Sequence, residues 1–398
     1  MVRLLIFLFS FFIVGKTVAQ NSSNWYKGNT HTHSYWSDGN DFPEMIMDWY
    51  KSHGYDFISL SDHNTLAQGE KWKAIPAHPF RQRRFKEYLE KYGEEWVTYR
   101  TDSTGKISVK LKTLEEYRPL FEEKGKFLIM QAEEISDRYD NKPLHMGAVN
   151  IKEIIEPQGG NSVAEVLQNN LDAVYAQRER TGQPMFAHIN HPNFKGAVKI
   201  EDLLQLKGDR FFEVYNGHPH VHNYGDSTTV SMEELWDILL INYIEDEKPL
   251  IYGLATDDAH HYLEHKVGRS NPGRGWIMVR AEKLTPGALI EAMEKGDFYA
   301  TTGVELEEVT FKKNKLEIEV TTEEDVEYTI QFWGAKKSSG SDEKHGVILK
   351  EVKGSKGKYK LRDEDLFVRA KIISTKLKEN PYQKGDVETA WVQPVVKN

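Results

Sequence analysis

The sequence predicts an α/β fold, a barrel of parallel strands followed by a smaller all-β sandwich, and three observations carry that prediction. Between residues 25 and 303 short apolar runs alternate with amphipathic stretches, the pattern of parallel strands with crossover helices. Histidines and carboxylates gather in six segments, HTHSYWSD, SDHN, AEEIS, LHM, NHPN and DDAHH, mostly where those strands end. Barrels of parallel strands build their sites from the loops at that edge. Beyond Gly303 the texture changes to short runs in which apolar and polar residues alternate.

Taken in order, the chain opens with Arg3, the apolar run LLIFLFSFFIV of 11 residues from Leu4 to Val14, and the small residues Thr17, Val18 and Ala19. That is the make-up of a secretory signal, and the run is shorter than the roughly 17 to 25 residues that span a bilayer. Residues 1–20 are therefore expected to be cleaved, leaving a periplasmic or secreted protein with no membrane span. FPEMIMDWYKSHG reads as a helix closed by Gly54, and YDFISLSDHN as a strand running straight into Asp62 and His63. Residues 66–125 interrupt the alternation and are rich in Lys, Arg, Glu, Tyr and Trp. They read as an insertion, either a lid or substrate wall or a surface excursion with its own small core. FLIMQAEEIS is a strand ending at Glu133 and Glu134. SVAEVLQNNLDAVYAQRERTG is a long helix with a serine cap and a terminal glycine. PMFAHINHPN, FFEVYNGH and LIYGLATDDAHH are further strands, separated by the helical IEDLLQL and MEELWDILLINYI. His145 sits awkwardly in this scheme, because it begins its strand. After Gly303, six short strands between Val304 and Thr375 predict an antiparallel sandwich over residues 304–398. Trp333 and Trp391 hint there at carbohydrate binding, against a plain packing role.

Composition narrows the chemistry. No cysteine occurs in the 398 residues, which excludes thiolate metal sites, cysteine nucleophiles and disulfides. The formal charge is -9, and loss of Arg3 and Lys16 takes it to -11, so no nucleic-acid surface is expected. His31 and His33 are two apart, and extended residues i and i+2 share a face, so both imidazoles can reach one ion. Asp258 and His260 repeat the spacing. Imidazole with carboxylate suits zinc, iron or manganese, whereas calcium and magnesium sites are almost all oxygen.

The ordered set HTH, SDG, SDHN, EIS, a lone His, HPN and DAHH resembles the PHP (polymerase and histidinol phosphatase) superfamily, in particular its stand-alone CehA/McbA-like branch. The resemblance covers about residues 25–303 and implies a distorted seven-stranded TIM-like barrel holding two or three divalent metals. It implies that His31, His33, Glu134 and Asp258 share one ion, that Glu134 bridges to a second held by His145 and His191, and that Asp38, His63 and His260 hold a third. Glu134 is preferred to Glu133 because it precedes the Ile-Ser of the family pattern and adjacent strand residues face opposite ways. His191 is preferred to His188 as the residue before Pro192, which leaves His188 as a candidate substrate-facing group.

Arg274, between two glycines in NPGRGWIMV, is a candidate anion anchor, since guanidinium grips phosphate in two places. Asn64, Asn193 and Asn216 are possible substrate contacts or turn residues, and HPHVH, with His218, His220 and His222, is either cleft lining or plain loop. Clustered divalent metals favour phosphoryl transfer, so hydrolysis of a small-molecule phosphate mono- or diester is the expected activity. Carboxylic or carbamic ester hydrolysis on the same site and non-catalytic glycan binding are the alternatives.

Overall fold

The computed structural model of this protein describes residues 23–337 and 345–397; the expected signal sequence lies outside them. The first strand, β1 (Asn24–Asn29), is followed by helix α1 (Pro43–Ser52) and strand β2 (Phe57–Leu60). Proline opens α1, whose acidic first turn and basic last turn both suit the helix dipole, and Gly54 at φ 73° turns the chain out of it. Next comes the insertion: β3 (Trp72–Ala74), α2 (Pro79–Tyr92), β4 (Tyr99–Thr101), β5 (Ile107–Lys110) and α3 (Leu114–Phe121). Its three strands form their own antiparallel sheet in the order β3-β5-β4.

The chain then runs through β6 (Leu128–Tyr139), β7 (Lys142–Val149), α4 (Val163–Thr181), β8 (Phe186–Ile189), α5 (Ile200–Leu204), β9 (Phe211–Asn216), α6 (Met232–Glu245) and β10 (Tyr252–Thr256). As the sequence implies, Ser162 caps α4 by accepting from the Glu165 backbone N–H, and Gly182 closes it in a left-handed conformation. Strand order through this half is β10-β9-β8-β7-β6-β2-β1. Pairing is parallel except around β7, which runs antiparallel to both β6 and β8. A single parallel bridge, Thr32 to Ala259, joins the extensions of β1 and β10. These seven strands, of mixed direction, are one part of a thirteen-stranded sheet that continues from β1, and the carboxyl ends of β1 and β10 touch through that bridge.

The remaining elements are β11 (Trp276–Ala281), α7 (Pro286–Glu294), β12 (Phe298–Thr301), β13 (Leu306–Lys312), β14 (Lys315–Val320), β15 (Tyr328–Lys336), β16 (Val347–Lys353), β17 (Lys356–Lys360), β18 (Asp365–Leu377) and β19 (Val387–Val395). β13, β14 and β17 form a small antiparallel sheet, while β19, β18, β15 and β16 extend the main sheet past β12. Residues after Gly303 are thus all-β, but one layer is fused to the α/β half. The Gln393 amide exchanges two hydrogen bonds with the backbone of Gly253 on β10, at 2.9 and 2.8 Å. Trp391 is buried and stacks on Tyr215, centroids 5.7 Å apart, and Trp333 lies beside the Arg369 guanidinium. The aromatic hint of a glycan platform at Trp391 is therefore corrected: the ring is needed in the core. Among the described residues, no helix is long and apolar enough to cross a membrane.

Candidate metal centre

Local backbone pairing builds the site. Beyond β1 the chain stays extended, with the His33 N–H donating to the Ala259 carbonyl and the Asp258 N–H to the His31 carbonyl, both at 2.9 Å. That pairing sets His31 and His33 against Asp258. His31 Nε2 lies 3.3 Å from both Glu134 Oε1 and Asp258 Oδ1, and His33 Nε2 lies 3.3 Å from Asp258 Oδ1 and 3.5 Å from Glu134 Oε2. A parallel bridge between His63 and Glu134 brings the end of β2 to the same place, with His63 Nδ1 2.7 Å from Glu134 Oε2. Because β7 is antiparallel, its beginning lies at the end of β6, and His145 pairs opposite Ser136. The apparent misfit of His145 in the sequence is explained: Nδ1 reaches Glu134 Oε1 at 3.1 Å. His191, just past β8, places Nε2 3.2 Å from the same oxygen. Asp38 Oδ1 lies 3.3 Å from His260 Nε2 and 3.6 Å from His63 Nε2.

All nine candidate ligands converge. Four overlapping sets have ligand atoms within 4.8 Å of one another: His33 with Asp38, His63 and His260; His31 with His33 and Glu134; His31 with His191 and Asp258; His63 with Glu134 and His145. The sets cross more than the sequence resemblance implies, since His31, His33 and His63, as well as Glu134, each serve two. His191 and Asp258 hold left-handed backbone, φ 28° and 47°, which side chains other than glycine seldom adopt. Such strain gathers at sites whose geometry the surrounding fold dictates.

Electrostatics favour cations here. Burial alone would push His31 down, yet Asp258, Glu213 and Glu134 together raise it well above the ordinary imidazole range. Burial opposes the charge on Glu134 too, but His145, His63 and His31 hold its carboxyl well below the usual range. His63 rises to about 11 against burial, through Glu134 and Asp38. His33 falls to about 3, because of burial and then of its neighbours His260 and His63. Ionised carboxylates in so tight a space require positive charge, supplied either by imidazolium or by divalent ions. His33 Nδ1 is buried without a hydrogen-bond partner, a donor atom that a cation would satisfy. Donor set and charge thus suit divalent metals.

Two expected site residues stand outside the four sets. The Arg274 side chain is fully buried, and its guanidinium donates to the carbonyls of Gly217 at 2.8 Å, Lys266 at 3.0 Å and Arg269. Spent on backbone, it knots the loop after β10 and is not presented as an anion anchor. His188 is buried in the sheet interior, neither ring nitrogen has a hydrogen-bond partner, and it belongs to none of the four sets. A Cβ on Gly147 would lie 2.2 Å from His188 Nε2, so that glycine makes room for the ring. The three asparagines are also engaged by the fold: Asn64 brackets the Ser136 backbone, Asn193 donates to the His222 and Val230 carbonyls, and Asn216 donates to Glu213 and Asp258. From HPHVH only His218 approaches, its ring 5.6 Å from that of His260, whereas His222 pairs with Asp226.

Glu213 is the site residue that spacing arguments miss. It is fully buried on β9, where Oε1 takes the His31 Nδ1 contact at 2.6 Å and the Thr256 hydroxyl at 2.8 Å, and Oε2 accepts from the His191 N–H at 2.8 Å. A carboxylate behind a ligand imidazole fixes its tautomer and raises its basicity. Despite burial, His31 and then His188 and His191 hold Glu213 at about 2. Glu213→Gln is expected to weaken metal binding or turnover about 10- to 100-fold, read by competitive metal titration. A change under about twofold would mean that His31 needs no brace.

Glu133, one residue from Glu134, faces the other way: Oε1 accepts from the Ile155 N–H at 2.7 Å and burial pushes the carboxyl up to about 8. Its folded value lies above the unfolded one, so the folded state binds the extra proton, and stability falls as pH rises from about 4.5 to about 8. Glu133→Gln is expected to flatten that fall. Unfolding midpoints of both proteins measured from pH 5 to 8 check it, and parallel curves refute it.

No family model matches the sequence, and no curated protein does either. Among solved structures, the chain is similar to a two-domain protein from Bacteroides vulgatus ATCC 8482 containing a predicted PHP-like metal-dependent phosphoesterase, at 15% identity and TM-score 0.40, over 93% of this chain and 95% of that one. A protein of Bifidobacterium adolescentis ATCC 15703, provisionally described as a metal-dependent phosphoesterase, shares 13% identity at TM-score 0.28, over 60% of this chain and 88% of its own. An amidohydrolase from Chromobacterium violaceum, with bound sulfate and no metal, shares 11% identity at TM-score 0.28, over 58% and 87%.

Proposed function

We propose that this chain is an exported, metal-dependent hydrolase of small-molecule phosphate esters, organised as a PHP-type domain over residues 21–303 with the all-β region 304–398 packed against it. The observation that carries the reading is the convergence of five buried or half-buried imidazoles on Glu134 alone, with Asp38, Asp258 and His260 adjoining. His31, His33, Glu134 and Asp258 would hold one ion, Glu134, His145 and His191 a second, and Asp38, His63 and His260 a third, of the manganese, zinc or iron type. When bound, such ions polarise phosphoryl oxygens and lower the pKa of water toward neutrality.

The chain's own residues do the rest. Glu213 and Asn216 aim His31 and Asp258. Asp62 accepts from the Ser34 N–H and from the Ser34 and Ser37 hydroxyls at 2.8, 2.7 and 2.5 Å, which shapes the loop that carries Asp38. The insertion braces the same loop, as Lys73 donates to the Ser37 carbonyl at 2.8 Å and Trp36 to the Lys112 carbonyl at 3.1 Å. Asp38, the most exposed of the nine at 58% of its side chain, faces the solvent from which a substrate enters. A phosphate ester fits a polycationic centre because its charge spreads over several oxygens, and the formal charge of -9 disfavours a stable nucleic-acid partner.

The test is metal analysis of residues 21–398 together with hydrolysis of aryl phosphate monoester, phosphate diester and carboxylic ester under a defined manganese or zinc load. Two or more ions per chain with phosphate release are expected. Ester cleavage without phosphate release would move the assignment to carbonyl hydrolysis, and bound metal without any turnover would refute both.

A further inference from the structure

We infer that the substrate's leaving group bears a second anion, phosphate or carboxylate, held by Arg138 and Lys195 in the cleft beside His145; this rests on the phosphoesterase reading above. The cleft has a volume of about 520 Å³, and its walls include Asn64, Ser136, Arg138, Asn141, His145 and Lys195. That is the size of an ordinary small-molecule site. One wall, His145, is also a candidate metal ligand, so the cleft adjoins the centre through that ring.

Sequence geometry aims the first cation. Glu134, Ser136 and Arg138 are alternate residues of β6, and alternate strand residues share a face. Arg138 therefore lies on the face that carries Glu134, two pleats further out. Its register is fixed, because Asp140 and Asn141, at φ 46° and 62°, close a two-residue hairpin of the type whose twist matches the flanking strands. Lys195 arrives from the other side, four residues after His191, in a single turn of 3₁₀ helix (Phe194–Gly196), with left-handed backbone at φ 55°. Its Nζ stands 5.1 Å from the centre of the Phe194 ring, itself 5.0 Å from His191 and 6.3 Å from His145. The Phe194 ring thus stands between the ligand imidazoles and the lysine, while Pro143 and Pro157 give the cleft an apolar wall for the carbon skeleton of a leaving group.

The two cations are uncommitted. Both are exposed, and among the described residues neither pairs with a carboxylate, in a chain whose formal charge is -9. Asp137, the acid in the cleft lining, is turned to other work: Oδ2 accepts from the Gly159 N–H at 2.9 Å and Asn170 Nδ2 at 3.0 Å, and Oδ1 accepts from the Arg138 N–H at 2.8 Å. Asn64 and Ser136 are likewise occupied, by each other and by His63. What remains free to meet a ligand is positive charge.

The experiment compares phenyl phosphate, 4-carboxyphenyl phosphate and 1,4-phenylene bisphosphate on the manganese-loaded full mature chain. Charge-assisted contacts make kcat/KM for at least one doubly anionic ester about 10- to 100-fold higher than for phenyl phosphate. In Arg138→Ala/Lys195→Ala that ratio falls to near unity. Preference for the bisphosphate alone identifies phosphate as the second anion, and equal preference a generic anion. Equal kcat/KM for all three esters in the unaltered protein, or a preference that survives in the double variant, overturns the inference. If no ester is hydrolysed, the phosphoesterase reading is what has failed. Calorimetric titration of the metal-free protein with 1,4-phenylene bisphosphate then decides the cleft: binding weakened tenfold or more by the double substitution sustains the cationic site, and unchanged binding removes it.

Discussion

Glu134→Gln is expected to lower turnover by about three orders of magnitude and to strip the protein of part of its metal. No other side chain is so central: its two oxygens lie within 3.5 Å of His31, His33, His63, His145 and His191, and Asn190 donates to Oε1 at 2.8 Å. Glutamine keeps the shape but loses the charge, and its amide places N–H donors where cations belong. Two ions sharing that carboxylate would repel each other with less between them, so occupancy as well as rate falls. Elemental analysis and kcat measured on one sample separate the two effects. Glu133→Gln, on the opposite face of the same strand, is the matched control, with turnover expected within about twofold because the side chain faces Ile155 rather than the centre. A Glu134→Gln protein with full metal and full turnover would move the reacting centre elsewhere.

How much of this was legible in sequence depends on how local each signal is. The nine candidate ligands were legible through the ordered motifs HTH, SDG, SDHN, EIS, the lone His, HPN and DAHH, in which two pairs stand at i, i+2, although Glu134 and His145 lie inside β6 and β7 and Asp38 in a turn. Glu213 was not, since a lone acid inside FFEVYN has no spacing partner; its meaning comes from His31, 182 residues away. An acid amid four apolar or aromatic strand residues was the available signal. Arg274 misled for a related reason. Its flanking glycines suggested ligand approach, but the Gly273, Arg274 and Gly275 N–H groups all donate to Asp257, and a Cβ on Gly275 would meet Tyr215 at 2.8 Å. The glycines let backbone reach a buried carboxylate. Strand β19, VETAWVQPV, escaped notice because its alternation is weak, with Pro394 near its end, and its partners β12 and β18 are fixed by long-range pairing. The sandwich was therefore expected as a separate body, whereas one of its layers continues the main sheet.

That continuity has a measurable consequence at Asp237, where substitution by alanine is expected to cost about 3–5 kcal/mol of stability. Asp237 on α6 and Arg369 on β18 are both buried and form a bidentate pair, Nε to Oδ1 at 2.6 Å and Nη2 to Oδ2 at 2.7 Å. The guanidinium centre lies 5.0 Å from the Trp236 ring and 5.6 Å from that of Trp333, and its next carboxylate, Glu233, is 4.0 Å away. Removing Asp237 strands a cation among aromatic rings with one distant partner, and a guanidinium cannot shed its proton to escape. Burial pushes the Asp237 carboxyl up while Arg369 pulls it down, so the pair is held by mutual need rather than by solvent. Replacing both partners, Asp237→Leu with Arg369→Met, should recover most of the loss, because apolar groups of similar volume leave no orphaned charge. A denaturant-unfolding cycle over the wild type, both single variants and the double variant measures the coupling. Because α6 belongs to the half that carries the metal ligands and β18 to the all-β half, the Asp237→Ala loss should appear in one transition shared by both. Two separated transitions, with only the all-β half destabilised, would show that the halves fold as independent units despite their common sheet.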